Sequence, residues 1–405
     1  MKSVELFAGA GGLAMGCEIA GFEHLAVVEW DKWSCDTVRE NQRRQFPLVS
    51  GWNLHHGDVR AFDWNSIPEG IELLAGGPPC QPFSMGGKHK AHDDSRDMFP
   101  ASVDILRKLK PKAFIFENVK GLTRSSFANY FQYIQLQLEF PEVTSRKDEL
   151  WQDHLMRLQA ERTSGKRKGR GLTYNVVATL INAADYGVPQ KRERVFIVGF
   201  RDDLGIEWHF PDPTHSYDAL LHDQWVTGKY WARHGIPQPA IPEKLKTRVA
   251  KLRGGVIQVE TQPWRTVRDA ICDLPDPLSS DASLVSNHLF QGGAKVYPGH
   301  TGSPLDLPAK TLKAGDHGVP GGENMLVKET GEVRYFTVRE SARIQTFPDG
   351  YKFHGSWTET MRQLGNAVPV LLAQQVASSV ADRLLTAEID AVLRTKRSAK
   401  GKNVA

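Results

Sequence analysis

The chain has 405 residues and a formal net charge of +4, with 40% hydrophobic and 24% charged residues. These proportions exclude a disordered chain, a collagen-like repeat and a disulfide scaffold, and the length allows one large domain or two to three smaller ones. The small positive charge permits a nucleic-acid partner without indicating one.

The start, MKSVELFAGA, lacks a long apolar core followed by a small-residue cleavage site, so it does not read as a signal peptide. No run of about 18 apolar residues is present, and no membrane span is expected. Residues 3–7 are predicted as a strand, followed by a Gly-rich turn and a helix. Further strands are predicted over 24–29, 71–75, 113–117 and 195–200. Strands separated by helical patterns predict an α/β protein with a doubly wound sheet. Residues 142–170 are polar, end in the basic run GKRKGRG, and read as an inserted helix and mobile loop. From about 201 to 334 Pro and Gly become frequent, which suggests a second, smaller, irregular domain. Helical periodicity returns at 358, and the basic end RTKRSAKGKNVA reads as a frayed tail.

The segment VELFAGAGGLAMG has the form of a cofactor-binding strand–turn–helix. Gly9, Gly11 and Gly12 let the backbone turn tightly, and the N–H groups opening the helix can face an anion. Glu29 ends the second strand about 20 residues on, where a carboxylate accepts from ribose hydroxyls. Trp30 is placed to stack on an adenine, and Asp58 to accept from its amino group. This loop alone does not separate a dinucleotide from S-adenosylmethionine, since both carry an adenosine. In GGPPCQPFS, Pro78 and Pro79 stiffen the backbone ahead of Cys80, and Gln81, Ser84, Gly86, Gly87 and Lys88 read as an exposed loop. Cys17, Cys35 and Cys272 read as small buried hydrophobes. The four cysteines lack metal or redox spacing, so reduced intracellular thiols and no metal are expected. The run AFIFEN ends in Glu117 and Asn118, a carboxylate at a strand end suited to acid–base work.

FAGAGG, the EW pair, the GD pair, PPCQ, ENV, QKRERVFIVG and RQLGNAVP occur in one order, and in this the chain resembles the bacterial-type DNA (cytosine-5)-methyltransferase family. The matching motifs leave residues 139–170 and 201–333 uncovered. The resemblance implies a Rossmann-like, class I S-adenosylmethionine-dependent methyltransferase fold. It divides the chain into a catalytic and cofactor-binding domain (1–200 plus 355–405), a target-recognition domain (201–354) and a basic tail (394–405). It implies that Cys80 adds to C6 of a flipped-out cytosine, so that C5 accepts a methyl group. Glu117 would protonate N3, Asn118 would orient its loop, Arg194 would contact O2, and Arg192 would stand beside it. Cofactor contacts carried over are Phe7, Gly9, Gly11, Gly12, Glu29, Trp30, Asp58, Pro78, Asn366 and Val368. The 81–97 loop, with Ser84 and Lys88, is expected to close over the cytosine. Thr311 and Leu312 match a recognition-region pair, and Lys310, Lys313, His317 and Asn324 are candidate readers near it. Arg339, Glu340 and Arg343 are expected to be structural.

The partner implied is double-stranded DNA, methylated at a specific short sequence, in the bacterial cytoplasm at the nucleoid. The enzyme would be a monomer, either accompanied by a cognate restriction endonuclease acting on the same site or solitary. An RNA cytosine-5 methyltransferase remains an alternative, disfavoured by the long variable segment. A nicotinamide-dependent oxidoreductase would leave PPCQ and QKRER unexplained, and a silent DNA-binding module would leave Cys80, Glu117 and Arg194 unused.

Overall fold

Short apolar runs build one seven-stranded sheet from β1 (Lys2–Leu6), β2 (Glu23–Glu29), β3 (Leu54–His56), β4 (Leu73–Gly76), β5 (Ala113–Val119), β6 (Tyr174–Asn182) and β7 (Glu193–Arg201). The computed structural model describes residues 1–79, 97–165, 171–296, 298, 301–314 and 324–402, the last eight as backbone. Strand order is β3-β2-β1-β4-β5-β7-β6. β1 to β5 run parallel, and β7 is antiparallel to β5. The architecture is α/β and Rossmann-like. The order reverses between β1 and β4, and such sheets bind ligands in the crevice beyond the carboxyl ends of the strands at that point.

Helices α1 (Gly12–Ile19), α2 (Lys32–Arg43), α3 (Phe99–Leu109), α4 (Ala128–Glu139) and α5 (Trp151–Ser164) accompany the sheet. Asp31 starts α2 by accepting from Ser34 N at 2.9 Å. Strand residues alternate in direction, so Val4, Leu6, Leu74, Phe114 and Phe116 share one buried cluster with α3, α4 and α5.

Two compact units emerge: 1–181 with 193–211 and 373–405, and 182–192 with 212–372. Sequence texture placed the smaller domain at 201–354, whereas the second unit also holds 182–192 and 355–372. Its elements are short: β8 (His215–Ser216), α6 (Tyr217–Leu221), α7 (Lys229–Arg233), α8 (Lys246–Arg253), β9 (Gln262–Pro263), α9 (Val267–Ile271), β10 (Ser303–Pro304), β11 (Met325–Val327), β12 (Val333–Tyr335), α10 (Val338–Ile344) and α11 (Trp357–Asn366). The last helix, α12, spans Val370–Lys402 and packs on α1, where Gly16 meets Ala373.

The five predicted strands are present with small shifts of boundary, and β3 and β6 add to them. The predicted inserted helix is α5. Helix α12 runs to Lys402, so residues 394–402 of the segment expected to fray are helical. Cys17 and Cys35 are buried, but Cys272 is exposed where α9 ends, which corrects its reading as a core hydrophobe. Arg339, Glu340 and Arg343 are braces. Arg339 donates to the carbonyls of Ser286, Pro348 and Tyr351, Glu340 completes a capping box with Thr337, and Arg343 pairs with Asp273 and Asp349.

Candidate active site

The loop leaving β1 is built from positive-φ backbone: Phe7 at 55°, Gly9 at 54° and Gly11 at 89°. A non-glycine residue such as Phe7 is strained there, which marks a functional turn. A Cβ on Gly11 would lie 2.8 Å from the Trp52 ring, so the turn requires glycine; Gly12 then opens α1. Glu29, at the end of β2, accepts from Gly9 N at 2.7 Å and from Asp31 N at 2.6 Å. Burial pushes its carboxyl up, and these backbone donors pull it down. Each oxygen has a second lone pair with which to accept a hydroxyl. Trp30 beside it is 75% exposed. Among the described residues no atom lies within 4 Å of where a Cβ on Gly9 would be. An open backbone cradle, a strand-end carboxylate and an exposed indole fit the adenosine of S-adenosylmethionine. Asp58 is held by Arg60, whose Nη2 lies 2.6 Å from Oδ2, and this lowers the Asp58 carboxyl. An adenine amino group would share that carboxylate with Arg60.

At the next strand end, register brings acid and arginine together. Glu117 pairs with Phe196 and Val119 with Arg194 across β5 and β7, so Glu117 and Arg194 are diagonal neighbours on one face. Arg194 Nε lies 2.9 Å from Glu117 Oε1, and both side chains are largely buried. Burial pushes the Arg194 guanidinium down, and Glu117 opposes that. Glu117 Oε2 lies 3.5 Å from where a Cβ on Gly77 would stand, so the carboxylate borders the turn that leads to Cys80. Asn118 Nδ2 donates to the Pro78 carbonyl at 2.9 Å. Met98 N donates to the Pro79 carbonyl at 3.1 Å. The two residues before Cys80 are thus each held by one hydrogen bond. Cys80, Ser84, Lys88 and His317, and all of the 81–97 loop except Asp97, lie outside the described residues.

The Arg192 side chain is directed at backbone carbonyls of its own unit. Its buried guanidinium donates from Nη1 to Leu312 O at 3.0 Å, and from Nη2 to Gly365 O at 2.7 Å and Ala367 O at 2.9 Å. It is a staple within the second unit that fixes the turn carrying exposed Asn366 and buried Val368. Leu312 is buried in a core cluster with Ile271 and Phe336, which corrects its reading as a DNA contact. The Thr311 hydroxyl donates to Lys191 O at 2.7 Å. Asn324 is buried and exchanges hydrogen bonds with the Lys313 backbone, at 2.9 and 2.8 Å. Among the described candidates Thr311, Lys310 and Lys313 have side chains that are not buried, and Lys310 Nζ donates to Thr301 Oγ1 at 2.8 Å. Sequence reasoning passed over Gln190 and Gln345, which brace the same staple; Gln190 donates to Gln345 Oε1 at 2.9 Å. It also passed over Asp97, although a carboxylate two residues before Phe-Pro is a helix-start signal. Among the described residues no metal-binding cluster occurs, and no helix is long and apolar enough to cross a membrane.

Sheet order, strained glycine loop and strand-end acid define a doubly wound α/β protein with a candidate site at the switch point. The C-5 cytosine-specific DNA methylase family matches residues 1–141 and 166–382. The chain belongs to that family, the DNA cytosine-5-methyltransferases. It is similar to the Type II methyltransferase M.NgoMIV of Neisseria gonorrhoeae, 29% identical over 387 residues that cover 93% of this chain and 96% of the relative. Type II methyltransferase M.PspPI of Psychrobacter sp. (strain TA137) is 31% identical over 392 residues, covering 96% and 80%. Among solved structures, S. pombe Dnmt2 methyltransferase aligns with a TM-score of 0.54 at 16% identity, covering 95% of this chain and 99% of that one. At that identity the likeness shows the fold alone.

Proposed function

We propose that this methyltransferase acts on a flipped-out cytosine within a specific short sequence of duplex DNA, through a covalent bond between Cys80 and C6. The observation that carries the reading is the Glu117–Arg194 pair, held 2.9 Å apart beside the turn that ends in Cys80.

C5 of cytosine is too poor a nucleophile to take a methyl group unaided. Addition of the Cys80 thiolate to C6 breaks the C5–C6 double bond and moves electron density to C5. N3 gains a proton as this happens. Glu117 supplies it, and Arg194 fixes the acid through Oε1 and leaves Oε2 toward the Gly77 turn. When bound, S-adenosylmethionine supplies an electrophilic methyl group on a sulfonium. Gly9, Gly11, Glu29 and Trp30 would hold its adenosine, and Asp58 its amino group. A base then removes the C5 proton, the C5–C6 double bond re-forms, Cys80 leaves as thiolate, and N3 returns its proton to Glu117. The target atoms are hidden in a duplex, so the base must leave the stack, as in other DNA methyltransferases. We assign target reading to the second unit, with Lys310 and Lys313 as contacts to DNA and Arg192 as their positioning staple. A companion restriction endonuclease fits the Type II names of the relatives.

Duplex DNA bearing 5-fluorocytosine tests the mechanism, because fluorine cannot leave C5 as a proton does. Wild-type protein with S-adenosylmethionine is expected to form a stable adduct that peptide mapping places on Cys80, and Cys80→Ala none. An adduct elsewhere overturns the assignment. Bisulfite sequencing of DNA from expressing cells would then read the target sequence.

A further inference from the structure

The family match skips residues 142–165, the stretch that contains α5. That stretch is nevertheless tied to the site through one continuous set of contacts. Trp151 packs edge-on against Tyr130 at 5.7 Å between ring centres, and against Tyr133 at 5.7 Å. His154 is fully buried. Its Nε2 lies 2.7 Å from the Val143 carbonyl, which only an N–H can approach, so in the neutral ring Nδ1 accepts from the Tyr133 hydroxyl at 2.8 Å. Arg157 closes the stretch on itself by pairing with Glu149 at 2.6 Å and donating to Thr144 O at 2.7 Å.

Tyr130 is the outlet of this cluster. Its hydroxyl donates to Asp97 Oδ2, and Asp97 Oδ1 accepts from Phe99 N at 3.2 Å. Asp97 therefore acts as the cap of α3, whose own cap residue, Met98, makes no side-chain bond; Pro100 has no N–H that needs one. Capping fixes where α3 begins, and Met98 N, at that point, holds the Pro79 carbonyl. A buried carboxylate needs every partner it has, since an unsatisfied charge in the interior is costly. Loss of the Tyr130 hydroxyl should therefore displace the start of α3 and, with it, Pro79.

We propose that residues 142–165 are a positioning element for methyl transfer: His154 holds Tyr133, Trp151 and Tyr133 pack on the Tyr130 ring, Tyr130 fixes Asp97, and Asp97 with Met98 fixes the backbone one residue before Cys80. The proposal rests on Cys80 being the nucleophile. It gives this chain a second hold on the reactive turn, beside the hold from Asn118.

Displacements of about 1 Å near a reacting atom cost up to about a hundredfold in rate, while binding can be untouched. The test compares wild type, Tyr130→Phe, Trp151→Ala and Trp151→Phe in single-turnover trapping on 5-fluorocytosine DNA and in steady state. Tyr130→Phe and Trp151→Ala are expected to lower kcat and the trapping rate about tenfold or more. KM for S-adenosylmethionine should stay within about twofold, and Trp151→Phe, which keeps a ring, should recover most of the rate. Tyr130→Phe removes one oxygen only, so it keeps the test meaningful where Trp151→Ala does not fold. Wild-type trapping rates in Tyr130→Phe, with or without a lowered melting temperature, would reduce the cluster to a structural brace and overturn the proposal. Absence of any adduct in wild type overturns the nucleophile assignment itself, and the proposal with it.

Discussion

Glu5 sits in the middle of β1, between Val27 and Ala75 on the flanking strands, with no exposure. Neither carboxyl oxygen is hydrogen-bonded to a described residue. Burial pushes its pKa well above the ordinary carboxylate range. Below that range the proton is bound in both folded and unfolded chains. As pH rises through it, the unfolded chain releases the proton and the buried group keeps it. Stability then falls by about 1.4 kcal/mol per pH unit until the native group also ionises. Glu5→Gln removes this dependence, so its urea midpoint should exceed that of wild type by a margin that widens from pH 4.5 to pH 7.5. An equal margin at both pH values would show that Glu5 does not titrate with folding. A second acid gives the catalytic counterpart. Glu117→Gln keeps shape but has no proton to give N3 in the same way. General acids contribute about 10²–10⁴ in rate, so single-turnover methylation should fall by that order while cofactor affinity holds. Unchanged turnover would remove Glu117 from the mechanism.

Among the elements, α11 shows a residue choice made by a neighbour rather than by the helix. Replacing a mid-helix glycine by alanine ordinarily gains up to about 1 kcal/mol. At Gly365 the added Cβ would lie 2.2 Å from Ala314 N, and backbone cannot swing aside as a long side chain does. Gly365→Ala should therefore destabilise, by about 1–3 kcal/mol, as overpacked cores do. A denaturant midpoint at or above wild type would contradict the close approach. This contact also explains which parts of the protein were legible in its sequence. β1, β2, β4, β5 and β7 announce themselves because each is an apolar run next to a turn. β3 is three residues with two histidines, too short for a pattern, and β6 follows a charged stretch that masks its start. Glu117 and Asn118 were legible because local strand ends position them. Arg192 and Leu312 were not. Arg192 is two residues from Arg194, yet its surroundings are set by Leu312, Gly365 and Ala367, more than a hundred residues away, and no local pattern carries that information.

At the scale of the molecule, charge and chain path are both uneven. Residues 1–140 hold two more acids than bases, and residues 141–405 six more bases than acids, so the net +4 conceals a slightly acidic first part. The chain leaves the first unit after Pro211 and returns to it only at Ala373. That return is α12, and its burial has a clear end. Val376, Val380 and Leu384 are buried, whereas Leu385, Ile389, Val392 and Leu393 are exposed. Glu388, in this exposed half, makes an ion pair with Lys112 at 2.9 Å. Ion pairs this exposed contribute little, so the buried half of the helix should hold the unit together. Each large side chain there is worth about 1.5–3 kcal/mol, against a typical net stability of about 5–15 kcal/mol. Removing the helix also uncovers α1 at Gly16, where Ala373 packs. A chain ending at Arg394 is therefore expected to melt within about 2 °C of the full protein. A chain ending at Leu372 should show no cooperative transition of the first unit by calorimetry. If the shorter chain melted like the full one, the first unit would be complete without its C-terminal segment, and α12 would be an appendage rather than the piece that closes it.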